Sequence, residues 1–314
     1  MNLIILFSGQ GLQSQKHVHE ILNDMSAHEH SLLATMVPEL FDADSGQIFD
    51  NSVAQPFIYT LQYHRWQHLR QLIATPMAFA GYSLGEVSAF CCSSQLPFED
   101  GLDLVHKRAA FMEQAVTEAS GLLAIKGVAD RNLAQLLETS KTHLSIKISR
   151  DQFIIGGNKD NLEQAMQIAQ TLGAHSVQHL NVSVPSHTMM MQGAAEEFRK
   201  YTSALTLPAM TIPIISATEG IRYSKTEQGL HILSRQIDHA LDWYFCMENI
   251  EEYQPSMVIE IGPGNALSRM INNLLPHVPC RSWDDFRDLD GLKAWIEKIA
   301  EMLVEDSCFI ITKR

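Results

Sequence analysis

A serine flanked by glycines is the first sign of chemistry in the sequence. The segment Gly81–Gly85 reads GYSLG, of the form GxSxG, and lies between a short apolar run, Met77–Ala80, and a helical pattern that starts at Glu86. A nucleophilic serine needs a sharp strand-to-helix turn that projects its hydroxyl, and flanking glycines permit the crowded backbone of such a turn. The free N–H groups at the helix start can stabilise an oxyanion. The pattern therefore predicts that Ser83 is a nucleophile, with a plain glycine-rich turn as the alternative.

A serine nucleophile needs a general base, and one of the fourteen histidines stands out. His187 ends the segment Val184–His187, which reads VPSH, where the chain leaves a predicted subdomain and returns to the main sheet. Pro185 stiffens the loop that presents it. The position predicts that His187 reaches back to Ser83 as its base, although an isolated loop histidine is more often a solvated residue.

Two other patterns do not predict a metal or dinucleotide site. His64 and His68 have the spacing of metal ligands on a helix, but no HExxH register and no third ligand accompany them, so a polar helix face is favoured. The run Phe7–Gly11 follows the first strand, at the rim where open α/β sheets bind ligands. A dinucleotide fingerprint would need glycine where Ser14 stands. We therefore expect no metal and no organic cofactor.

The elements around these residues divide the chain into two kinds of fold. Strand and helix patterns alternate from Leu3–Phe7 through Pro56–Ile73 and beyond, which predicts a parallel sheet covered by helices. Residues 121–181 instead read as βαββαβ, the ferredoxin-like order. We predict an α/β fold with a large, discontinuous α/β-hydrolase-like domain, residues 1–120 and 182–314. A smaller ferredoxin-like subdomain, 121–181, interrupts it.

Composition limits the partners and the compartment. The chain has 314 residues, 23 Lys and Arg against 36 Asp and Glu, and a formal charge of −13, which argues against a nucleic-acid or anionic-membrane surface as the main partner. Five cysteines without a CxxC pair indicate a reducing compartment. The apolar run Leu3–Phe7 is too short for a signal sequence, and no window suits a spanning helix. We expect a cytoplasmic protein that binds neither nucleic acid nor membrane.

Four segments together resemble the malonyl-CoA:acyl-carrier-protein transacylase family. They are 7–11 (FSGQG), 81–86 (GYSLGE), Arg108 with the Phe-Met pair that follows it, and 184–187 (VPSH), and they look like the family motifs FPGQG, GHSLGE, R-x-x-F-M and VPSH. Segments 53–56 (VAQP) and 259–264 (IEIGPG) match two further parts of the family. The order and spacing agree from residue 4 to about 275.

Two departures from the family motifs narrow the resemblance. Tyr82 replaces the usual histidine before the nucleophile, and Ser8 replaces proline. With GYSLGE at this position, the chain is similar to the transacylase, or epsilon, subunit of bacterial malonate decarboxylase. The length of that subunit also fits the length of this chain. The resemblance thus implies malonyl-CoA and an acyl-carrier protein as partners, with other malonate decarboxylase subunits as possible further ones.

The resemblance also assigns roles to the residues of the acyl-transfer step. Ser83 is the acylated nucleophile, and His187 is its general base and then the general acid toward the departing CoA thiol. The backbone N–H groups of Gln10 and Leu84 form the oxyanion hole.

Two further residues concern selectivity and orientation. By resemblance, Arg108 holds the free carboxylate of the malonyl group, and a guanidinium makes paired, charge-assisted hydrogen bonds to such a group. The family orients its histidine near an Asn-Pro-Val-Gln-Trp segment, which here reads HALDW over 239–243. Asp242 takes the place of the glutamine and is a possible orienter of His187, through its side chain or the backbone.

Residues and resemblance together predict a ping-pong acyl transfer. A malonyl group passes from malonyl-CoA through a serine acyl-enzyme to the phosphopantetheine-type thiol of a carrier, within a malonate decarboxylase system. Fatty-acid or polyketide synthesis uses the same chemistry and is the first alternative. A serine hydrolase or thioesterase shares the GxSxG turn, but α/β-hydrolases place an acid between serine and histidine in chain order. A noncatalytic carrier-docking subunit is the remaining alternative.

Overall fold

The structure is a computed structural model that describes residues 2–41 and 46–311, with side chains described as far as residue 303. Its strands, in chain order, are β1 (Leu3–Phe7), β2 (Ala78–Gly81), β3 (Ser120–Lys126), β4 (His143–Lys147), β5 (Gln152–Asn158), β6 (Ser176–His179), β7 (Ile214–Ile215), β8 (Arg222–Tyr223), β9 (Leu241–Asp242), β10 (Met257–Glu260) and β11 (Cys280–Ser282). Its helices are α1 (Gln15–Asp24), α2 (Ala27–Met36), α3 (Asn51–Leu69), α4 (Leu84–Ser93), α5 (Phe98–Gln114), α6 (Leu133–Ser140), α7 (Lys159–Thr171), α8 (Gln192–Ser203), α9 (Thr226–Gln236), α10 (Trp243–Glu252), α11 (Ala266–Leu274) and α12 (Leu289–Ile311).

The main sheet has the strand order β11-β10-β1-β2-β7-β8. All neighbours pair in parallel except β7 and β8, which are antiparallel. The central strand β1, with the sequence LIILF, is buried at every position, as expected for a parallel strand covered by helices on both faces. The predicted α/β fold with a parallel main sheet is confirmed.

The second sheet has the order β6-β3-β5-β4-β9. Its first four strands are antiparallel and arise from the predicted βαββαβ sequence of elements. Leu136 of α6 and Leu162 of α7 belong to a hydrophobic core that is separate from the core of the main sheet. The predicted boundaries of the subdomain at 121 and 181 stay a prediction. The sequence did not reveal the fifth strand, β9, which comes from outside this segment and pairs in parallel with β4 through Ile146 and Leu241.

The carboxyl ends of two adjacent parallel strands bring the predicted motifs together. Phe7 at the end of β1 is in register with Gly81 at the end of β2, so the loops that follow both strands leave the same edge of the sheet. This edge is the usual ligand-binding rim of an open α/β sheet. In the described part of the chain, no helix is long and apolar enough to cross a membrane.

Candidate active site

The turn between β2 and α4 has the strained backbone geometry that a nucleophile elbow requires. Ser83 has φ 56° and ψ −117°, a backbone conformation that residues other than glycine rarely adopt. A Cβ on Gly81 would clash with the Glu86 backbone nitrogen, and one on Gly85 would clash with the Phe7 carbonyl oxygen. Both glycines of the GxSxG pattern are therefore required by close backbone contacts, and the plain-turn alternative does not account for the strained serine between them.

The structure places His187 directly against the serine. Ser83 Oγ lies 2.7 Å from His187 Nε2. On the other side of the ring, Nδ1 lies 2.6 Å from the backbone carbonyl oxygen of Gln236, and the backbone N–H of His187 donates to the Ile237 carbonyl at 2.9 Å. Since a carbonyl only accepts, Nδ1 carries the proton and the neutral ring presents an acceptor Nε2 to the serine hydroxyl.

The two carbonyls that hold His187 belong to the carboxyl end of α9. The last carbonyls of a helix have no partner within the helix, and they carry its partial negative charge. The Gln236 carbonyl is therefore free to hold the imidazole, and the Ile237 carbonyl holds the backbone of the same residue. In this position the end of α9 can stabilise a protonated ring, as an acidic residue does in a serine triad.

The Asp242 carboxylate is bonded to the end of a helix and not to the His187 ring. Asp242 Oδ1 accepts a hydrogen bond from the Phe245 backbone N–H at 2.8 Å and so caps the amino end of α10. Aspartate is among the preferred residues at that position because its carboxylate satisfies a free helix N–H group. The His187 ring is oriented instead by the carbonyl of Gln236, a residue that lies six positions earlier and outside the HALDW segment.

Burial and the nearby Arg108 charge lower the pKa of His187 to about 3, while the Gln236 carbonyl opposes the shift. A histidine normally titrates near pH 6.5. The lowered pKa keeps the ring neutral through the physiological range, and only the neutral ring can accept the serine proton. His187 is thus available as a base without first losing a proton to solvent.

The lowered pKa predicts an unusual pH profile for the acylation of Ser83. Because the neutral ring persists down to acidic pH, the single-turnover acylation rate is expected to show no loss centred on the ordinary histidine pKa between about pH 8 and pH 5. Rapid-quench measurement of the labelled acyl-enzyme checks this. Burial raises the pKa of Glu86 to about 7, so the same profile is measured for Glu86→Gln. An acid limb near pH 6.5 that persists in this variant would contradict the prediction.

The two predicted oxyanion donors belong to segments that meet at Ser83. Leu84 is the first residue of α4, so its N–H has no acceptor within the helix. The loop that carries Gln10 packs against the elbow: a Cβ on Gly9 would lie 3.7 Å from Ser83 Cβ and 2.8 Å from the Tyr82 carbonyl oxygen. Within the described residues, the buried Gln10 Nε2 has no hydrogen-bond partner. The Leu84 N–H can therefore serve an oxyanion formed at Ser83, and the Gln10 backbone N–H stays a predicted second donor.

Arg108 is a buried cation in the same cluster, with 1% of its surface exposed. Its Nη1 donates to Gln55 Oε1 at 2.6 Å and its Nη2 donates to Gln236 Oε1 at 3.1 Å, whereas its Nε has no partner among the described residues. Burial lowers the pKa of Arg108 to about 10, and the Glu86 carboxylate opposes this shift. The side chain remains charged at neutral pH and has donor capacity left for an anionic ligand.

A groove between the second sheet and the main part of the fold leads to the histidine. Its volume is about 680 Å³. His187, Met189, Lys141 and Leu144 are among its lining residues, and Met189 is two-thirds exposed. An open groove with a mixed apolar and polar lining suits a long, flexible ligand that approaches the site past His187.

The two departures from the family motifs have local explanations. The Ser8 hydroxyl donates to Glu260 Oε1 at 2.6 Å, which helps satisfy a buried carboxylate. The Tyr82 ring packs edge-on against Trp243 with ring centroids 5.3 Å apart. The hydroxyl of Ser8 and the ring of Tyr82 thus each have a packing or hydrogen-bond partner of their own.

Sequence reasoning missed three residues that hold this site together: Gln55, Glu86 and Gln236. The first two lie inside segments that carried the family resemblance, VAQP and GYSLGE, so those segments were the available signal. Gln236 lies in no motif that we identified. Its role depends on where α9 ends relative to His187, and sequence spacing alone does not reveal that contact.

Comparison with known proteins agrees with the geometry. Residues 6–277 match the family described as the acyl transferase domain. The chain is 30% identical to the malonyl CoA-acyl carrier protein transacylase of Salmonella typhimurium, over 70% of this chain and 74% of that protein. It is 26% identical to a polyketide biosynthesis malonyl CoA-acyl carrier protein transacylase of Bacillus velezensis, over 86% of this chain and 95% of that one.

A solved structure shows the same fold along the whole chain. The crystal structure of the malonyl CoA-acyl carrier protein transacylase of Clostridium perfringens superposes with a TM-score of 0.83 at 27% identity, covering 98% of this chain and all of that one. Together with the family match, this similarity leads to one conclusion: the chain belongs to the acyl transferase domain family.

Proposed function

We propose that the protein transfers a malonyl group from malonyl-CoA to the thiol of an acyl-carrier protein through a Ser83 acyl-enzyme. The observation that carries the proposal is the Ser83–His187 contact of 2.7 Å beside a buried, incompletely bonded Arg108. A serine and a neutral base can form an acyl-enzyme, and a buried cation favours an acyl group that bears a negative charge. The transferase names of the relatives support the same reaction.

In the first half-reaction, Ser83 Oγ attacks the thioester carbonyl of malonyl-CoA while its proton passes to His187 Nε2. The negative charge that develops on the carbonyl oxygen is stabilised by the backbone N–H groups of Gln10 and Leu84. The carbon–sulfur bond then breaks, and the CoA thiolate takes the proton back from His187. The product is a malonyl ester of Ser83 and free CoA, and His187 is neutral again.

The second half-reaction reverses these steps with a different thiol. His187 takes the proton of the carrier thiol, the thiolate attacks the malonyl ester, and Ser83 recovers its proton from His187 as it leaves. The groove that ends at His187 and Met189 is suited to the flexible arm of either CoA or a carrier protein. No metal or organic cofactor takes part in this scheme.

The experiment that tests the proposal follows a labelled malonyl group. Incubation with radiolabelled malonyl-CoA is expected to give a stable Ser83 ester, found by peptide mapping, that a carrier thiol discharges. Rapid release of free malonate without a carrier would instead support the serine hydrolase or thioesterase alternative. Complete absence of Ser83 labelling would support the noncatalytic docking subunit.

Arg108 is the predicted source of selectivity between acyl groups. In Arg108→Ala, the malonyl carboxylate loses a charge-assisted partner, so kcat/KM for malonyl-CoA should fall by about 100-fold. Acetyl-CoA has no carboxylate, and its kcat/KM should fall by less than about tenfold. Acylation rates with both substrates check this, and equal losses would show that Arg108 is structural.

The comparisons support the fatty-acid or polyketide alternative better than the malonate decarboxylase context. One relative is named for polyketide biosynthesis, and another is named only for transfer between malonyl CoA and an acyl carrier protein. The decarboxylase context, with its other subunits as partners, rests on Tyr82 in GYSLGE and on the length of the chain. The discharge rate of the malonyl-enzyme with a purified carrier from each type of system distinguishes the two.

A further inference from the structure

Gln236 is bonded to three parts of the site at once. Its backbone carbonyl holds His187 Nδ1 at 2.6 Å, its side-chain Oε1 accepts from Arg108 Nη2 at 3.1 Å, and its side-chain Nε2 donates to Glu86 Oε2 at 2.9 Å. The residue is buried and lies at the carboxyl end of α9. Gln236 thus forms hydrogen bonds both to His187, the proposed base, and to Arg108, the buried cation.

Arg108 fixes which way the Gln236 amide faces. A guanidinium only donates, so the amide oxygen must turn toward Arg108, which leaves the amide nitrogen to donate to Glu86. Glu86 is fully buried on the first turn of α4, three residues beyond the nucleophile. The elbow, the amide and the guanidinium therefore form one hydrogen-bonded chain.

We propose that the Gln236 side chain is a positioning group that fixes the Arg108 guanidinium relative to His187, and thereby sets the preference for acyl groups that bear a carboxylate. A malonyl group spans a fixed length from its thioester carbonyl to its carboxylate. The carbonyl must lie at Ser83 for attack, so the guanidinium must be held at one distance from the dyad. This inference rests on the proposed malonyl transfer.

The side chain and the backbone of Gln236 have separable roles. Substitution of the side chain leaves the carbonyl in place, so the His187 ring should keep its orientation. The selectivity of the site should then change while the reactivity of the Ser83–His187 dyad stays nearly constant. A merely structural residue would lower both together.

Two variants test the role of the side chain. Gln236→Leu removes the acceptor for Arg108. Gln236→Glu replaces the amide with a carboxyl group that shares a proton with Glu86 on one side, pairs with Arg108 on the other, and competes with the substrate carboxylate. In both variants, the ratio of kcat/KM for malonyl-CoA to that for acetyl-CoA should fall by about tenfold or more. In Gln236→Glu, the loss for malonyl-CoA should appear mainly in KM.

Dyad reactivity is measured with an uncharged fluorophosphonate probe, which has no carboxylate for Arg108. Ser83 Oγ displaces fluoride from phosphorus and its proton passes to His187, so the labelling rate reports on the dyad alone. It should stay within about threefold of the wild-type rate in Gln236→Leu. Glu86 interacts electrostatically with Arg108, Tyr223 and Cys246. Because a change of pH could alter the charge of this group of residues, the rates of all variants are compared at one pH.

The conservative variant Glu86→Gln supplies the matched control. Its side-chain oxygen can still accept from Gln236 Nε2, so the malonyl preference should be retained within about threefold, whereas Glu86→Leu should lose it as Gln236→Leu does.

An unchanged preference in both Gln236 variants, with normal wild-type loading, would overturn this inference alone. Failure of the wild-type protein to load malonyl would overturn the proposed function as well, and the probe would still show whether the dyad is reactive.

Discussion

Ser83→Ala is expected to abolish formation of the acyl-enzyme. The hydroxyl supplies the bond-forming atom, and no other nucleophile among the described residues is placed against His187. Loss of a nucleophile of this kind costs about a million-fold in turnover. Mass spectrometry of the protein after incubation with malonyl-CoA should show an added malonyl group on the wild-type chain and none on the variant.

The backbone strain at this position supplies a second measurement. Alanine keeps the Cβ that makes φ 56° costly, whereas glycine removes it. Ser83→Gly should therefore be as inactive as Ser83→Ala but more stable than it by about 1 kcal/mol, measured by urea denaturation. A glycine variant less stable than the alanine variant would contradict the strained elbow.

His187→Ala is expected to lower the acylation rate by about 10⁴-fold or more. Without the base, the serine proton has no acceptor, and the remaining catalysis comes from the oxyanion donors and binding. The substitution leaves a space beside the Gln236 carbonyl that imidazole can occupy. Added imidazole should therefore restore part of the acylation rate in this variant.

Asp242→Asn is the matched control for the histidine variant. Asparagine caps a helix about as well as aspartate does, so the amino end of α10 should be preserved. Because Asp242 bonds to Phe245 and not to the histidine, the acylation rate should stay within about threefold of the wild type. A loss comparable with that of His187→Ala would restore Asp242 as the orienting residue.

The elbow could be predicted from the sequence because its requirements are local. Two glycines, a serine between them, and a strand and helix on either side are all adjacent in the chain, and the structure brings Ser83 and His187 together as expected. The βαββαβ order of the second sheet was likewise readable from local patterns of apolar residues.

The remainder of the site depends on where helices end and face one another. Arg108 meets Gln55 and Gln236 across three separate helices, and none of these contacts follows from a spacing in the chain. The direction of the Asp242 side chain was open for the same reason. Its place in a family segment suggested proximity to His187, but in the structure its carboxylate accepts from the free Phe245 N–H group of the helix that follows.

The pairing of β9 with β4 limits how the protein can be divided. A fragment cut at residues 121 and 181 would leave β4 without its neighbour along Ile146 and Lys147, exposing an open sheet edge. Such edges recruit strands from other chains and promote aggregation. Residues 121–181 therefore cannot be transferred between relatives as an independent unit. A chimaera that exchanges them must also exchange, or closely match, Leu241–Asp242.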